Sequence, residues 1–323
     1  MVGQHKLQSL RESSTRAMKL QQLRFICEVA KQDLNLTKAA SELYTSQPGI
    51  SKQIKALEEE LGVDIFIRNG KRFVGITEPG QEIIKKSQFA LSELNNLKLI
   101  SNEFSNENSG SLTIATTHTQ ARYALPKVIK IFREKYPDVR LFIYQGSPSN
   151  VVEMVCSGEA DITIATEATS LTKELVMLPC YEWNRCILTP PRHPLLKSKK
   201  ITLEEISQYP IVTYDSNFMG RPVIKQAFEA LGLEPDVVLT AIDADIIKTY
   251  VELGLGVGIV SMMAYDPVRD VKIRALDASH LFKASTTAIG ISKNTYMRGY
   301  IYEFISMFAP HLNREAIDQI LNQ

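Results

Sequence analysis

The sequence predicts an α/β protein of two unlike parts: a short all-α N-terminal unit with a β-hairpin, then a larger unit of alternating strands and helices. Three observations carry this reading. Apolar residues between 19 and 61 recur at helical spacing and are interrupted by a three-residue turn. Residues 64–77 hold two β-type runs around Asn69-Gly70, a strong two-residue hairpin signal. From 111 onward, short runs rich in β-branched residues alternate with segments of helical period, the pattern of an α/β unit with largely parallel sheets. Length and composition agree. A chain of 323 residues suits about two domains, and 44% hydrophobic with 23% charged residues is ordinary for a globular protein. A net charge of +1 excludes a globally basic nucleic-acid coat but leaves room for a local basic patch.

Residues 1–17 are polar and aperiodic, and lack the apolar stretch of a secretory signal. They are expected to be a disordered extension or a start artefact, with Met18 the natural start. Leu23, Ile26 and Val29 then mark a first helix. Thr37 is the expected N-cap of a second, which points Ala39, Ala40 and Leu43 inward. After the turn 44–46, Ser46 caps a third helix with Pro48 in its first turn, where a missing N–H is tolerated. Ile50, Ile54, Leu57 and Leu61 form one stripe, expected to be buried. The remaining face shows Gln47, Ser51, Lys52 and Lys55, and no acid occurs from Ser46 to Leu57. These are the parts of a helix-turn-helix. Arg68, Lys71 and Arg72 crowd the hairpin tip, which reads as a wing able to reach backbone or minor groove. From Thr77 a long helix places Ile83, Ala90, Leu94, Leu97 and Phe104 on alternating steps, an imperfect coiled-coil seam that suggests dimerisation. A Ser/Asn/Gly cluster at 105–111 can host a hinge.

The second unit reads as eight strands and five helices. Thr117, Thr119 and Gln120 cluster where a strand end runs into a helix start, and Thr166 closes an equivalent strand. Free N–H groups and neutral hydroxyl and amide donors at such a place suit a small anion, although the same residues would serve as plain caps and strand ends. Other motifs lead nowhere. Gly254, Gly256 and Gly258 lack the spacing of a dinucleotide fingerprint, and Cys180, Cys186 and His193 lack zinc spacing. No G-x-S-x-G elbow occurs, and His118 has no evident partner acid or nucleophile. The reading therefore contains no catalytic residue, no metal and no cofactor. Four scattered cysteines make no disulfide framework and fit a reducing cytosol. The longest apolar stretch, 253–264, falls short of the ~20 residues of a membrane span.

Two stretches carry a family resemblance. TKAASELYTSQPGISKQIKALEEELGVDIFIR and GITEPG resemble the winged helix-turn-helix of LysR-type transcriptional regulators, over residues 19–105. The remainder resembles that family's effector-binding domain, a two-lobed fold like the type 2 periplasmic binding proteins. TIATTHTQARYALP, GEADITIATE, DADIIKTYVELGLGVGI and APHLNRE look like the CysB branch, regulators of sulfur assimilation and cysteine biosynthesis. The resemblance implies a winged helix-turn-helix over 18–77, a linker helix over 78–105 and an effector-binding domain over 106–323. Within the latter, lobe I would comprise 111–181 and 285–323, and lobe II 182–284.

It further implies DNA contacts from Ser46, Gln47, Pro48, Ser51, Lys52, Lys55, Arg68, Lys71 and Arg72. Effector contacts would come from Thr117, Thr119, Gln120, Thr166, Trp183, Met219 and Gly220. Met219 and Ile242 stand where the family commonly has Thr, which makes the far wall less polar. The implied function is that of a cytoplasmic activator of sulfur-assimilation genes, answering to acetylserine, sulfate or thiosulfate. Its implied partners are an operator in double-stranded DNA, RNA polymerase and further copies of itself, as dimer or tetramer. The rival readings are a LysR-type regulator of another pathway and a solute-binding protein; the helix-turn-helix residues and the lack of a signal sequence count against the second.

Overall fold

The computed structural model describes residues 18–323 other than 71, 106–107, 167–173, 216–219, 294 and 322–323. The expectation for residues 1–17 thus lies outside the described residues. The chain divides into two compact units, one ending at Leu99 and one beginning at Ile100.

The first unit is a helix-turn-helix with a wing. Helices α1 (Leu20–Lys31), α2 (Leu36–Glu42) and α3 (Gln47–Leu61) bury Ile26, Val29, Ala39, Ile50, Ile54 and Leu57 completely against one another. The cap of α2 is Asn35 rather than Thr37: its side chain accepts the N–H groups of Thr37 and Lys38, both at 3.1 Å. Leu61, expected in the buried stripe, is 39% exposed because the helix outruns its partners there and ends at Gly62. Strands β1 (Phe66–Asn69) and β2 (Arg72–Ile76) pair antiparallel. Asn69 pairs with Arg72, so the turn is centred one residue later than the Asn69-Gly70 reading. The long helix α4 (Glu78–Ser105) follows, its start capped by Thr77, whose Oγ1 accepts the Gly80 N–H at 2.9 Å. Of the expected seam, Ile83 and Ala90 pack on the winged-helix core, while Leu94 stays half-buried and Leu97 is 63% exposed. The Phe104 side chain lies outside the described residues.

The second unit holds two five-stranded sheets. The first runs β4-β3-β5-β12-β6, built from β3 (Gly110–Thr116), β4 (Val139–Gln145), β5 (Ile162–Thr166), β6 (Leu175–Trp183) and β12 (Ser285–Ser292). Helices α5 (Leu125–Lys135), α6 (Pro148–Cys156), α9 (Gly299–Phe308) and α10 (Arg314–Leu321) belong with it. The second runs β11-β7-β10-β8-β9, built from β7 (Arg185–Thr189), β8 (Ile211–Tyr214), β9 (Val237–Ala241), β10 (Val257–Ser261) and β11 (Arg274–Asp277). It packs against α7 (Gly220–Glu229) and α8 (Ala244–Glu252). Each lobe has its own apolar core, with Phe132, Ile164 and Phe304 in the first and Phe228, Ile247 and Ile259 in the second.

The sheets are mixed rather than largely parallel. β3–β4, β3–β5, β8–β9 and β8–β10 are parallel; β12 and β7 run antiparallel to both of their neighbours. The cause is the double crossover. The chain leaves the first sheet at Trp183, enters the second at Arg185, and returns at Ser285, so the strands at both crossings enter reversed. Among the described residues the second unit has ten strands rather than the eight expected; β6 and β11 are the additional ones. No helix among the described residues is long and apolar enough to cross a membrane.

Candidate functional site

Two surfaces gather the candidate residues. The first is the start of α3. Ser46 uses its hydroxyl to accept the Gly49 N–H at 3.3 Å, and Pro48 follows in the first turn. Gln47, Ser51 and Lys55 stand one turn apart, with Lys52 beside them, on the side away from Ile50, Ile54 and Leu57. Gln47 donates its amide to Thr37 Oγ1, which ties α3 to α2. Lys52 is exposed; Lys55, also exposed, lies 3.8 Å from Glu59, a pairing worth little in water. A helix start with its positive dipole end, polar side chains and two lysines is fitted to phosphates and base edges of a duplex.

The wing divides its charges. Arg72 is exposed near the tip, and Lys71 lies outside the described residues. Arg68 instead turns back on Glu58, with Asp64 3.8 Å away and the Phe73 ring beneath its guanidinium at 5.1 Å. Glu58 is 5% exposed and also accepts the N–H groups of Ile65 at 2.8 Å and Phe66 at 3.2 Å. This carboxylate therefore fixes the base of the wing to α3. Sequence reading saw it only as one of three consecutive acids.

The second surface is the cleft between the two sheets of the second unit. β3 ends at Thr116, and the helix that begins at His118 passes through a π-turn, Gln120–Ala124, before α5. Thr117, Thr119, Gln120, Thr166 and Trp183 all line one cavity there. Tyr214, Ile242 and Ser261 face them from the second lobe. The cavity measures about 60 Å³, against roughly 10–15 Å³ for one water on the same scale. It therefore has room for a group of a few heavy atoms. Among the described residues its lining contains hydroxyls, an amide, an imidazole and an indole, and neither carboxylate nor ammonium.

Hydrogen bonds set which of these groups are available. Trp183 Nε1 donates to Thr166 Oγ1 at 3.3 Å, and Gln120 Nε2 donates to Thr287 Oγ1 at 2.9 Å. The Tyr181 hydroxyl donates to Gln120 Oε1 at 2.5 Å, so Gln120, 1% exposed, has both ends of its amide engaged and braces the cavity floor. Opposite, the Tyr214 hydroxyl and Ser261 Oγ are buried without a hydrogen bond of normal geometry. Burial pushes the Tyr214 phenol up to about 12, with Thr119 and Ser261 close by. An unpaired buried hydroxyl costs about 1–3 kcal/mol, which a hydrogen-bonding ligand would relieve. Sequence reading missed Tyr214, Ser261 and Thr287. The usable signal was position: Tyr214 and Ser261 each close a strand, as Thr166 does in the other lobe.

Around this cavity the two lobes are joined. At the crossovers Arg185, 2% exposed, donates to Lys283 O at 3.1 Å and Ser285 Oγ at 2.9 Å, and its guanidinium lies 5.0 Å from the Trp183 ring. His118, expected to have no partner acid, has one: Asp245 Oδ2 stands 3.6 Å from its Nε2, while Nδ1 meets Gln145 Oε1 at 3.1 Å. The acid comes from α8, far along the chain, which is why local reading missed it. His118, Asp243 and Asp245 lie close enough together to suggest a metal. Lys248 at 3.1 Å and Arg122 at 3.3 Å already neutralise Asp245, which opposes a divalent ion. Burial pushes the thiols of Cys27, Cys180 and Cys186 up to about 12, so they are unreactive at neutral pH. Met219 lies outside the described residues, and Gly220 opens α7.

A winged helix-turn-helix joined to a two-lobed unit with a polar interlobe cavity defines a ligand-responsive DNA-binding regulator. Comparison with known proteins agrees. Residues 20–81 match the family described as bacterial regulatory helix-turn-helix protein, lysR family, and residues 105–313 match the LysR substrate binding domain. The chain belongs to the LysR family of transcriptional regulators, not to an enzyme family. It is 53% identical to the HTH-type transcriptional regulator SsuR of Burkholderia cenocepacia over 306 residues, 95% of this chain and 99% of the relative. It is 50% identical to that organism's regulator CysB over 304 residues, 94% and 97% of the two chains. The crystal structure of the cofactor-binding domain of the Cbl transcriptional regulator matches at 43% identity and a TM-score of 0.64, covering 68% of this chain and 96% of that one.

Proposed function

We propose that the chain is a cytoplasmic activator of sulfur-assimilation and cysteine-biosynthesis genes, controlled by a small oxyanion in the interlobe cavity. The carrying observation is the lining: Thr117, Thr119, Thr166, Tyr214 and Ser261 offer neutral hydroxyls from both lobes, with no fixed charge among them. Such a site holds an anion by hydrogen bonds and the helix-start dipole and releases it readily, as a sensor must. The volume favours sulfate or thiosulfate in the cavity itself. Acetylserine, a larger molecule, would extend into the adjoining outer chamber of about 530 Å³, which shares His118 and Ile242.

The partners follow from the same reading. Ser46, Gln47, Pro48, Ser51, Lys52, Lys55 and Arg72 would meet operator DNA, with Arg68 holding the wing. RNA polymerase is the expected partner of an activator. Self-association is supported by the exposed Leu97 and by the edge strand β4, which leaves Phe142, Ile143 and Tyr144 open to solvent.

Thr119→Val tests the cavity, because it keeps shape and deletes one donor. A lost donor is worth about 0.5–1.5 kcal/mol, so calorimetry on the full chain should show sulfate binding weakened roughly threefold to tenfold. Operator binding without effector should stay near normal. Undiminished sulfate affinity in this variant would place the ligand elsewhere.

A further inference from the structure

We infer that Tyr123 and Arg122 of the π-turn and Asp245 of α8 form an interlobe clasp, which holds the two walls of the cavity at binding distance and makes these three residues positioning residues for the effector. The inference rests on the effector reading above.

The π-turn carries two sets of side chains with different destinations. Gln120 points into the first lobe, to Thr287 and Tyr181. Three residues later Tyr123 leaves that lobe: it packs against the core of the second lobe, and its hydroxyl donates to Asp245 Oδ1 at 2.6 Å. Arg122 Nε reaches Asp245 Oδ2 at 3.3 Å, and His118 Nε2 faces the same oxygen at 3.6 Å. One extra residue in a helical turn rotates all later side chains relative to earlier ones. This segment thus serves both lobes at once.

Asp245 is braced from behind. Lys248 bonds it at 3.1 Å, lies 5.3 Å from the centre of the Tyr123 ring, and is itself fixed by Asp270 at 3.2 Å and by the Ala264 carbonyl at 3.1 Å. The carboxylate is therefore a rigid acceptor on the second lobe, presented to donors from the first. Neither Tyr123 nor Asp245 lines the cavity. Yet Thr119, a cavity residue, is four residues from Tyr123 in one continuous helix, and Ile242, on the far wall, is three residues from Asp245. A change in lobe separation at the clasp is transmitted to both walls over three or four residues of chain.

The test uses the full chain and two variants that leave the lining untouched. Tyr123→Phe keeps the ring and removes the hydroxyl; Asp245→Asn removes the charge. Each should weaken sulfate binding, read by calorimetry, about fivefold or more, the lower end of a conformational coupling. The double variant should lose no more than the stronger single one, because Asp245→Asn already disables the acceptor that the Tyr123 hydroxyl uses. Asp245→Glu should recover part of the loss. Unchanged sulfate affinity in both single variants, even with a lowered melting temperature, would leave only a structural ion pair and overturn the inference. Spin labels placed one on each lobe give a readout free of ligand: both variants should broaden the interlobe distance distribution in the unliganded chain. If wild type binds no sulfate, thiosulfate or acetylserine, the effector reading fails, and the distance measurement alone decides the clasp. Distributions identical to wild type would then overturn it.

Discussion

Two carboxylates do unlike things in this chain, and each supports a prediction. Glu58 is almost wholly buried and satisfies two backbone N–H groups and Arg68. Glu58→Ala would leave the Ile65 and Phe66 amides and a guanidinium without their acceptor. A loss of roughly 2–4 kcal/mol in urea unfolding is expected, together with weaker operator binding as the wing loses its anchor. Normal stability in that variant would show that water replaces the carboxylate. Asp245 is partly exposed. Desolvation raises its pKa, but the Tyr123 hydroxyl and the charges of Lys248 and Arg122 outweigh it and hold the group down from 3.8 to about 2. A folded pKa below the unfolded value means stability that is complete above about pH 4 and lost as pH falls toward 2. The groups facing it are His118, Arg122 and Tyr123 from one lobe and Asp243 and Lys248 from the other. The stability difference between wild type and Asp245→Asn should be flat from pH 4 to 7 and vanish toward pH 2. A difference that grows on acidification would contradict this sign.

At the scale of elements, most of the fold was legible because the signals were local. The helix-turn-helix, the hairpin and eight strands of the second unit announce themselves through period, caps and turn residues. What was missed depended on distant partners. β6 contains Pro179, which argues against a strand, yet its pairing with β12 shifts register between Thr287 and Ala288 and accommodates it. The cavity was legible on its first-lobe side, where a strand runs into a helix in one stretch of sequence, and illegible on its second-lobe side. Tyr214 and Ser261 meet it only because two separate strands end at the same cleft. The run Gly254, Gly256, Gly258 has backbone reasons: Gly254 takes a left-handed φ of +80°, and a Cβ on Gly256 would lie 2.2 Å from the Pro210 carbonyl oxygen. The same crowding occurs at the junction of wing and long helix. A Cβ on Gly80 would stand 2.1 Å from Ile65 O and 2.9 Å from Thr77 Oγ1, and Ile65 O is backbone that cannot swing aside. Gly80→Ala should therefore destabilise the N-terminal unit by about 1–3 kcal/mol, as overpacking does. An unaltered unfolding midpoint would mean that the start of α4 can slide away from β1.

For the whole molecule, the proposed reading has an effector cavity in one unit and a recognition helix in another, and both must serve one regulator. On that reading, pairing of copies along α4 would supply an answer, because a single helix-turn-helix reads only a half-site and two held together read both. The stripe available for this has narrowed. Ile83 and Ala90 are taken up by the winged-helix core, which leaves half-buried Leu94 and exposed Leu97 of the described seam positions; Phe89, 46% exposed, is a further apolar side chain open to solvent on the same helix. Leu94→Glu would bury a carboxylate in any such seam, where an unpaired charge is costly. Light scattering should show the variant as a smaller species than wild type. Operator affinity should fall about a hundredfold or more, since tethering two half-site contacts multiplies affinity by 10²–10⁴. Sulfate binding should be unchanged, because every residue around the cavity lies in the second unit. Lys52→Ala supplies the contrast: it should weaken DNA binding and lower its dependence on salt by about one unit, without altering the size of the particle. If Leu94→Glu keeps the wild-type size and operator affinity, copies of this chain pair elsewhere, and the open edge at Phe142, Ile143 and Tyr144 becomes the surface to mutate next.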